Sequence, residues 1–334
     1  MFLIRAGAIE NLDRLIRQYG FNPNEVMAEF GLDSAMLREP EALISYTKVA
    51  DLLDHCAEVC GDPLFGLRLT QLQSPLAIGE LLASSSQQGT LKEALGFTNK
   101  YMRLHAHGVR LITKTEGERL QIHFDFEFTN STGLKQLTLL STGQLFQSIY
   151  ALIGTEVSGL KIHIIQSYKH ENLNSLTNIS SHLKQSSHFD GVSIPLIWMN
   201  KANDLNNEAL KVHFKQRIST LENMYPEDLA SQIRYLCSTW LSSGDCTLER
   251  VSSALDLHPR VLQKRLLKQN LSFRSLLQKV RQIKAEQLLR NGRMSVTDIA
   301  LYIGYAETAV FSRNFKKWTG KTPLQWRGEK RALL

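Results

Sequence analysis

One pattern, written twice in the last third of the chain, limits its fold more than any other feature. Residues 247–268 (TLERVSSALDLHPRVLQKRLLK) and 295–317 (SVTDIALYIGYAETAVFSRNFKK) each open on a hydroxyl residue suited to an N-cap. Each continues as a short amphipathic segment, breaks, and resumes as a second amphipathic segment ending in basic residues. Val251 and Leu255 of the first copy align with Ile299 and Ile303 of the second. Leu262 and Leu266 align with Phe311 and Phe315. The second copy carries one extra residue in its turn, within 304–307. Two helices joined by a short turn can set the second helix into a major groove. A tandem pair therefore predicts engagement of two successive grooves of double-stranded DNA.

The charge is placed accordingly. The chain is +7 overall, yet residues 237–334 hold 18 lysines and arginines against seven acids, a local +11. The preceding 236 residues carry 21 basic and 25 acidic groups, a local −4. A basic tail on a mildly acidic body is the electrostatic pattern of a nucleic-acid binder with a separate sensing or assembly domain. The length of 334 residues suits two domains. No stretch approaches the roughly 20 apolar residues of a membrane span, and no membrane partner is expected. The N-terminal residues do not read as a signal peptide. Cys56, Cys60, Cys237 and Cys246 form no disulfide-like framework. The expectation is a soluble cytoplasmic protein.

The expected fold is multidomain: an α+β N-terminal regulatory domain (1–203), an interdomain helix (204–226), and an all-α C-terminal domain (227–334) holding both helix-turn-helix units. Residues 1–72 are helical in pattern, with Val49, Leu52, Leu53, Cys56 and Cys60 on one face of a helix that Gly61-Asp62-Pro63 ends. Thr90 caps a second helix expected at 91–105. Alternating runs at 109–115 and 120–128 flank Glu116-Gly117-Glu118 as a hairpin. A largely buried helix at 132–152 and strands at 160–165 and 192–198 follow, with Pro226 at the domain boundary. In the C-terminal domain, an opening helix turns Leu229, Ile233, Leu236 and Trp240 inward. Between the two units, a helix at 273–290 with Leu276, Leu277, Val280, Ile283 and Leu288 at helical spacing ends on Asn291-Gly292. It would span about 27 Å. The groove repeat is ~34 Å, so a rod of this length could place two recognition helices in adjacent turns.

These residues carry a family resemblance. Asp298-Ile299-Ala300, Gly304-Tyr305, Phe311-Ser312-Arg313, Phe315-Lys316, and Gly320, Pro323 and Arg327 resemble the signature of the AraC/XylS family of bacterial transcriptional regulators. Leu262 to Leu266 and Arg281, Ala285, Leu288 and Leu289 resemble the rest of that domain. More loosely, Gly61-Asp62-Pro63, Phe65-Gly66, Arg68-Leu69, Leu91, Glu93-Ala94-Leu95 and the hairpin after Gly108 resemble the arabinose-binding-type regulatory domain of the ornithine-utilisation-regulator-like branch. The resemblance implies a sequence-specific regulator that binds promoter DNA, works with RNA polymerase, answers to a small-molecule effector and acts as a homodimer. It implies no cofactor, no metal and no catalytic residue.

By position, the resemblance makes Arg260, Gln263 and Lys264 the groove-facing residues of the first unit. Thr308, Ala309, Ser312 and Arg313 take that place in the second, with Glu307 at the helix entry. Arg260 and Arg313 can grip guanine O6 and N7 with two bonds, and Gln263 can pair adenine N6 and N7. Lys264 stands where the family often has arginine and offers a point charge in place of a fork. Ala309 presents a methyl surface. Lys268, Lys316 and Lys317 suit phosphates, which set register and not sequence.

Other chemistry is sparse. His55, Cys56 and Cys60 permit a metal reading, against which stands the ordinary reading of buried cysteines without a second ligand pair. The histidines at 105, 107, 182 and 188 form no triad, and Asn130-Ser131-Thr132 is a formal glycosylation pattern. Two other functions are weighed. One is a DNA-linked enzyme of the alkylation-repair type, which would need a four-cysteine zinc site where only Cys56 and Cys60 are available. The other is an effector-free regulator whose N-terminal domain serves only to oligomerise.

Overall fold

Two buried triplets hidden within the helical pattern of the first 72 residues pair with each other as strands. Leu3–Arg5 (β1) and Leu43–Ser45 (β2) run antiparallel, and all six residues are buried. The purely helical expectation for this region is thus corrected. A three-residue strand is too short to show alternation, so pattern alone cannot separate it from a buried helical turn. The structure is a computed structural model that describes residues 2–74, 80–153, 158–169, 173, 176, 179–201, 212, 214, 216, 218, 228–242, 246–255, 257–292 and 294–331. Its internal contacts divide it into two compact units, Met1–Glu222 and Asn223–Leu334. The helix expected at 204–226 and the boundary proline Pro226 lie outside the described residues, apart from helical positions 212, 214, 216 and 218.

Around β1 and β2 stand the helices Leu12–Gln18 (α1), Pro23–Ala28 (α2), Tyr46–Val59 (α3) and Phe65–Leu72 (α4). Ser45 caps α3 by accepting from the Lys48 N–H at 3.4 Å, and α3 buries Val49, Leu52, Leu53 and Cys56 as its spacing predicts. Cys60 sits at the C-cap and is only half-buried. Gly61 then turns the chain at φ 63. Asp62 accepts from the Leu64 N–H at 3.1 Å and the Tyr19 hydroxyl at 2.6 Å, and pairs with Arg68. Burial alone would raise its pKa, but these partners together hold its carboxyl below the usual range. The Asp62 and Arg68 of the motif thus brace the entry to α4.

Helix Lys135–Ile153 (α7) lies against α4. The approach is very close: a Cβ on Gly66 would stand 2.2 Å from the Gln136 carbonyl oxygen, and one on Gly143 would stand 2.7 Å from Thr70. The Gly66 N–H donates to the Gln136 side chain at 2.9 Å. Helices Glu80–Ser85 (α5) and Leu91–Tyr101 (α6) complete this unit. Thr90 and Glu93 form a reciprocal capping box on α6, each bond 3.2 Å. The helix ends four residues before the expected 105, passing into a tighter turn at Met102–Leu104.

Val109–Glu116 (β3) and Arg119–Phe126 (β4) form the expected hairpin, with Glu116 opposite Arg119 and Gly117 at φ 57. Lys161–His163 (β5), Leu183–Lys184 (β6) and Gly191–Pro195 (β7) extend the sheet in the order β3-β4-β7-β5-β6. All pairs are antiparallel except β5 with β6, so the sheet is mixed. β7 stops at Pro195, because the strand expected to 198 gives way to a 3-10 turn, Leu196–Asn200.

The second unit is helical: Leu229–Trp240 (α8), Leu248–Ala254 (α9), Pro259–Leu267 (α10), Phe273–Asn291 (α11), Val296–Tyr302 (α12), Thr308–Thr319 (α13) and Pro323–Arg331 (α14). Asp228 caps α8 by accepting from the Ser231 N–H at 2.9 Å. Ile233 and Leu236 are buried as expected, whereas Leu229 and Trp240 at the helix ends are half-buried. The Trp240 ring instead carries the Arg250 guanidinium 4.7 Å from its centre.

Two buried imidazoles make the first unit acid-sensitive. Burial, aided by the Arg5 charge, pushes His105 down from 6.5 to about 3. Burial, with Lys184 and Arg119, pushes His163 down to about 4. The unfolded chain therefore takes up these protons first, and stability present above pH 6.5 is lost as the pH falls towards these folded values. The urea midpoint should drop between pH 6.5 and 4, and should drop less in a His163→Asn variant. A midpoint flat across that interval would refute the linkage.

Candidate nucleic-acid interface

The repeat is carried into three dimensions by its apolar positions. Val251, Leu255, Leu262 and Leu266 of the first copy and Ile299, Ile303, Phe311 and Phe315 of the second are all 0% exposed. Hydroxyl caps open both copies. Thr247 accepts from the Arg250 N–H at 3.1 Å, and Ser295 accepts from the Asp298 N–H at 3.0 Å while Asp298 returns a bond to the Ser295 backbone. The two turns also close alike: the Leu257 N–H donates to the Ser252 carbonyl and the Tyr305 N–H to the Ala300 carbonyl, each at 2.9 Å. His258 and Glu307 are the N-caps of α10 and α13, four residues before Leu262 and Phe311. The extra residue of the second copy is therefore Ala306, between the shared closure and the cap.

Burying those faces turns the others outward. On α10, Arg260, Gln263 and Lys264 are exposed at positions i, i+3 and i+4, and Lys268 is exposed at the C-cap. On α13, Ala309, Arg313, Lys316 and Lys317 are exposed, Thr308 and Ser312 are half-buried, and Glu307 is exposed at the helix entry without a side-chain cap bond. Each set forms one stripe on one helix. Lys316 and Lys317 also lie in the last turn of α13, where cations favour the helix dipole. Leu267 was not singled out from the sequence. It is 73% exposed and stands one turn beyond Lys264 on the first stripe. Its signal was present, since an apolar residue that breaks the Leu262/Leu266 spacing has no core to enter.

The scaffold behind these stripes is built on α11. Ser272 and Ser275 box its N-terminus at 3.1 Å each, and Gly292 ends it at φ 67, as the Asn-Gly pair predicted. At 19 residues it spans about 28 Å. Leu276, Val280, Ala285 and Leu289 face the core, while Ile283, expected inward, is 45% exposed. Arg281 projects from this helix to the second turn. It donates to the Gly304 carbonyl at 3.0 Å, and its guanidinium lies 4.7 Å from the centre of the Tyr305 ring. Gly304 itself stands at a φ of +78, a conformation that glycine takes without strain and other residues rarely adopt. Arg327 donates to the Met294 carbonyl at 2.7 Å and ties α14 to the entrance of the second unit. Trp318 is half-buried against Tyr305 and Phe315 at the core's edge.

The weaker candidates do not converge. Cys56 is buried and its thiol is pushed up by burial; burial and Asp62 push Cys60 up to about 11. His55 turns to the Phe30 ring and to Glu29 at 3.6 Å. Among the described residues no three His, Cys, Asp or Glu side chains are placed to hold a metal, and no helix is long and apolar enough to cross a membrane. Asn130 works as a turn residue, accepting from the Thr132 and Leu134 N–H groups at 3.2 and 2.8 Å. Its amide donates to Asp51 and Asp54.

Comparison with known proteins places both halves. Residues 20–165 match the arabinose-binding domain of AraC transcription regulators, and residues 251–329 match a helix-turn-helix domain. The HTH-type transcriptional regulator VirS of Mycobacterium tuberculosis is 24% identical over 97% of this chain and 96% of its own. The ornithine utilization regulator of Pseudomonas aeruginosa is 23% identical over the same shares of each. Transcriptional regulator CdpR from Pseudomonas aeruginosa, a solved structure, is similar over 94% of this chain and 97% of its own at 17% identity. Its TM-score to this chain is 0.41. Domains and relatives alike are regulators, so the alkylation-repair reading is set aside.

Arg281→Ala removes the tie between the long helix and the second turn. It should cost about 1–2 kcal/mol of stability in a denaturant titration of the whole chain. An unchanged midpoint combined with lost DNA binding would instead place this guanidinium on the nucleic acid.

Proposed function

We propose, for a chain that belongs to the AraC/XylS family of DNA-binding transcriptional regulators, that both exposed stripes read base edges in successive major grooves of a promoter. The observation that carries this reading is the complete burial of the eight matched apolar positions, which leaves only the opposite faces of α10 and α13 free. Arg260 and Arg313 grip guanine, Gln263 pairs adenine, and Lys264, Thr308 and Ser312 add single hydrogen bonds. Ala309, with Leu267 on the other stripe, offers an apolar surface to thymine methyl groups. Glu307 can accept from a cytosine amine. Lys268, Lys316 and Lys317 neutralise phosphates.

Residues 1–203 form the sensing domain in this reading, 227–334 the DNA-binding domain, and 204–226 couple them. A small-molecule effector on the first domain shifts the populations that the second can use. The protein acts as a homodimer and brings RNA polymerase to the promoter. The match of residues 20–165 to a regulatory domain named for binding a sugar supports an effector.

Selection from a random duplex pool should return two short conserved blocks about one helical turn, ~10–10.5 base pairs, apart. A pool that retains no preferred sequence would end the proposal. Arg313→Ala should cost about 1–3 kcal/mol on the selected site and relax one base position. Lys316→Ala should weaken all duplexes alike and reduce the salt slope by about one. Interchanged behaviour of the two variants would reverse their roles.

A further inference from the structure

Two thiols meet at the entrance to the first helix-turn-helix. Cys237 lies in the last turn of α8, and Cys246 immediately precedes Thr247, the N-cap of α9. Their side chains are hydrogen-bonded to each other, and both are free thiols. Cys237 is 0% exposed, whereas Cys246 keeps 9% of its surface in solvent. Side chains already in contact can close an S–S bond of about 2 Å by a local movement.

The two thiols are not equivalent. Cys237 donates its S–H to Cys246, and this bond holds the Cys246 thiol below its usual range. Burial opposes that shift, and the Arg281 and Arg250 charges assist it. The same bond, with burial, pushes the Cys237 thiol up. Cys246 is therefore both the member that ionises and the member that solvent reaches. A thiolate is the form that attacks an oxidant, and a second thiol in contact completes the exchange. The other two cysteines lack this support. Burial pushes Cys56 up, and burial with Asp62 pushes Cys60 up to about 11.

We propose that Cys237 and Cys246 form a peroxide-sensing pair, with Cys246 as the attacking sulfur and Cys237 as the resolving one, whose disulfide weakens the hold of the first helix-turn-helix on DNA. The Cys246 thiolate attacks one peroxide oxygen. The O–O bond breaks, and the departing hydroxide takes up the proton that Cys246 had released. Cys246 becomes a sulfenic acid, so the charge that opposed ionisation of Cys237 is gone. The Cys237 sulfur then attacks the Cys246 sulfur and gives up its proton. The S–S bond forms, the S–O bond breaks, and a second water leaves. Two thiols are oxidised and one peroxide is reduced to two waters. Drawing Cys246 towards α8 displaces the adjoining Thr247, whose hydroxyl caps α9 at 3.1 Å. α10 packs against α9, so its stripe moves with that cap. The effect on DNA rests on the base-reading proposal above; the thiol chemistry does not.

Hydrogen peroxide applied to the reduced full chain tests this. Trypsin, cutting after Arg234 and Arg250, releases both cysteines in one peptide, 235–250. Ring closure then reads by mass as the loss of two hydrogens and of both alkylation sites. This peptide should close while Cys56 and Cys60 can still be alkylated, and dithiothreitol should reopen it. Cys237→Ser should stop the reaction at a Cys246 sulfenic acid that dimedone traps. Cys246→Ser should leave Cys237 unoxidised at the same dose. On a duplex selected by the reduced chain, the oxidised chain should bind about tenfold more weakly, the equivalent of one lost helix cap. Cys246→Ser should lose that response. A peptide 235–250 that stays reduced, or Cys60 oxidised before it, overturns the proposal whatever the variants do. So does a closed peptide with unchanged DNA affinity. A reduced chain with no preferred duplex would end the base-reading proposal instead, and the peptide mass would still decide the thiol chemistry.

Discussion

Each helix-turn-helix depends on four apolar side chains that cannot reach water. Val251, Leu255, Leu262 and Leu266 lock the helices of the first copy, and Ile299, Ile303, Phe311 and Phe315 lock those of the second. Burying a side chain of this size contributes about 1.5–3 kcal/mol, several times more than an exposed ion pair. The burial therefore dictates which way α10 and α13 face. The polar stripes need no attraction of their own to point outward, because the other side of each helix is already committed. Arg260, Gln263, Lys264 and Arg313 are presented as a consequence of leucines and phenylalanines that touch no ligand.

The first unit has a comparable constraint in the approach of α4 to α7. Gly66 lets the two backbones meet at a distance that any side chain would obstruct, and Gly143 leaves room for the Thr70 and Leu67 side chains of α4. Asp62, capped and paired with Tyr19 and Arg68, sets the angle at which α4 begins.

Much of the regulator was legible in its residues. The helix-turn-helix repeat, the capping hydroxyls of Thr247 and Ser295, the glycine at 292 and the hairpin around Gly117 all appear where spacing predicted them. These signals are local, and local sterics and hydrogen bonding produce them. β1 and β2 were missed because three residues carry no period. Ile283 was misplaced because a 19-residue helix packed at several points along its length does not keep one stripe of core contacts. Leu267 and Arg281 were not evident, since their meaning depends on what lies opposite them.

By itself the sequence determined that a basic domain with two helix-turn-helix units follows an acidic α+β domain, and which apolar faces of α10 and α13 would be buried. Helix periodicity and charge are properties of the chain and survive without a partner surface. Tertiary structure alone decided that Arg281 clasps the second turn and that Trp318 stays at the core's edge. Such facts depend on distances between residues far apart in the chain, which the final packing sets and no local pattern encodes.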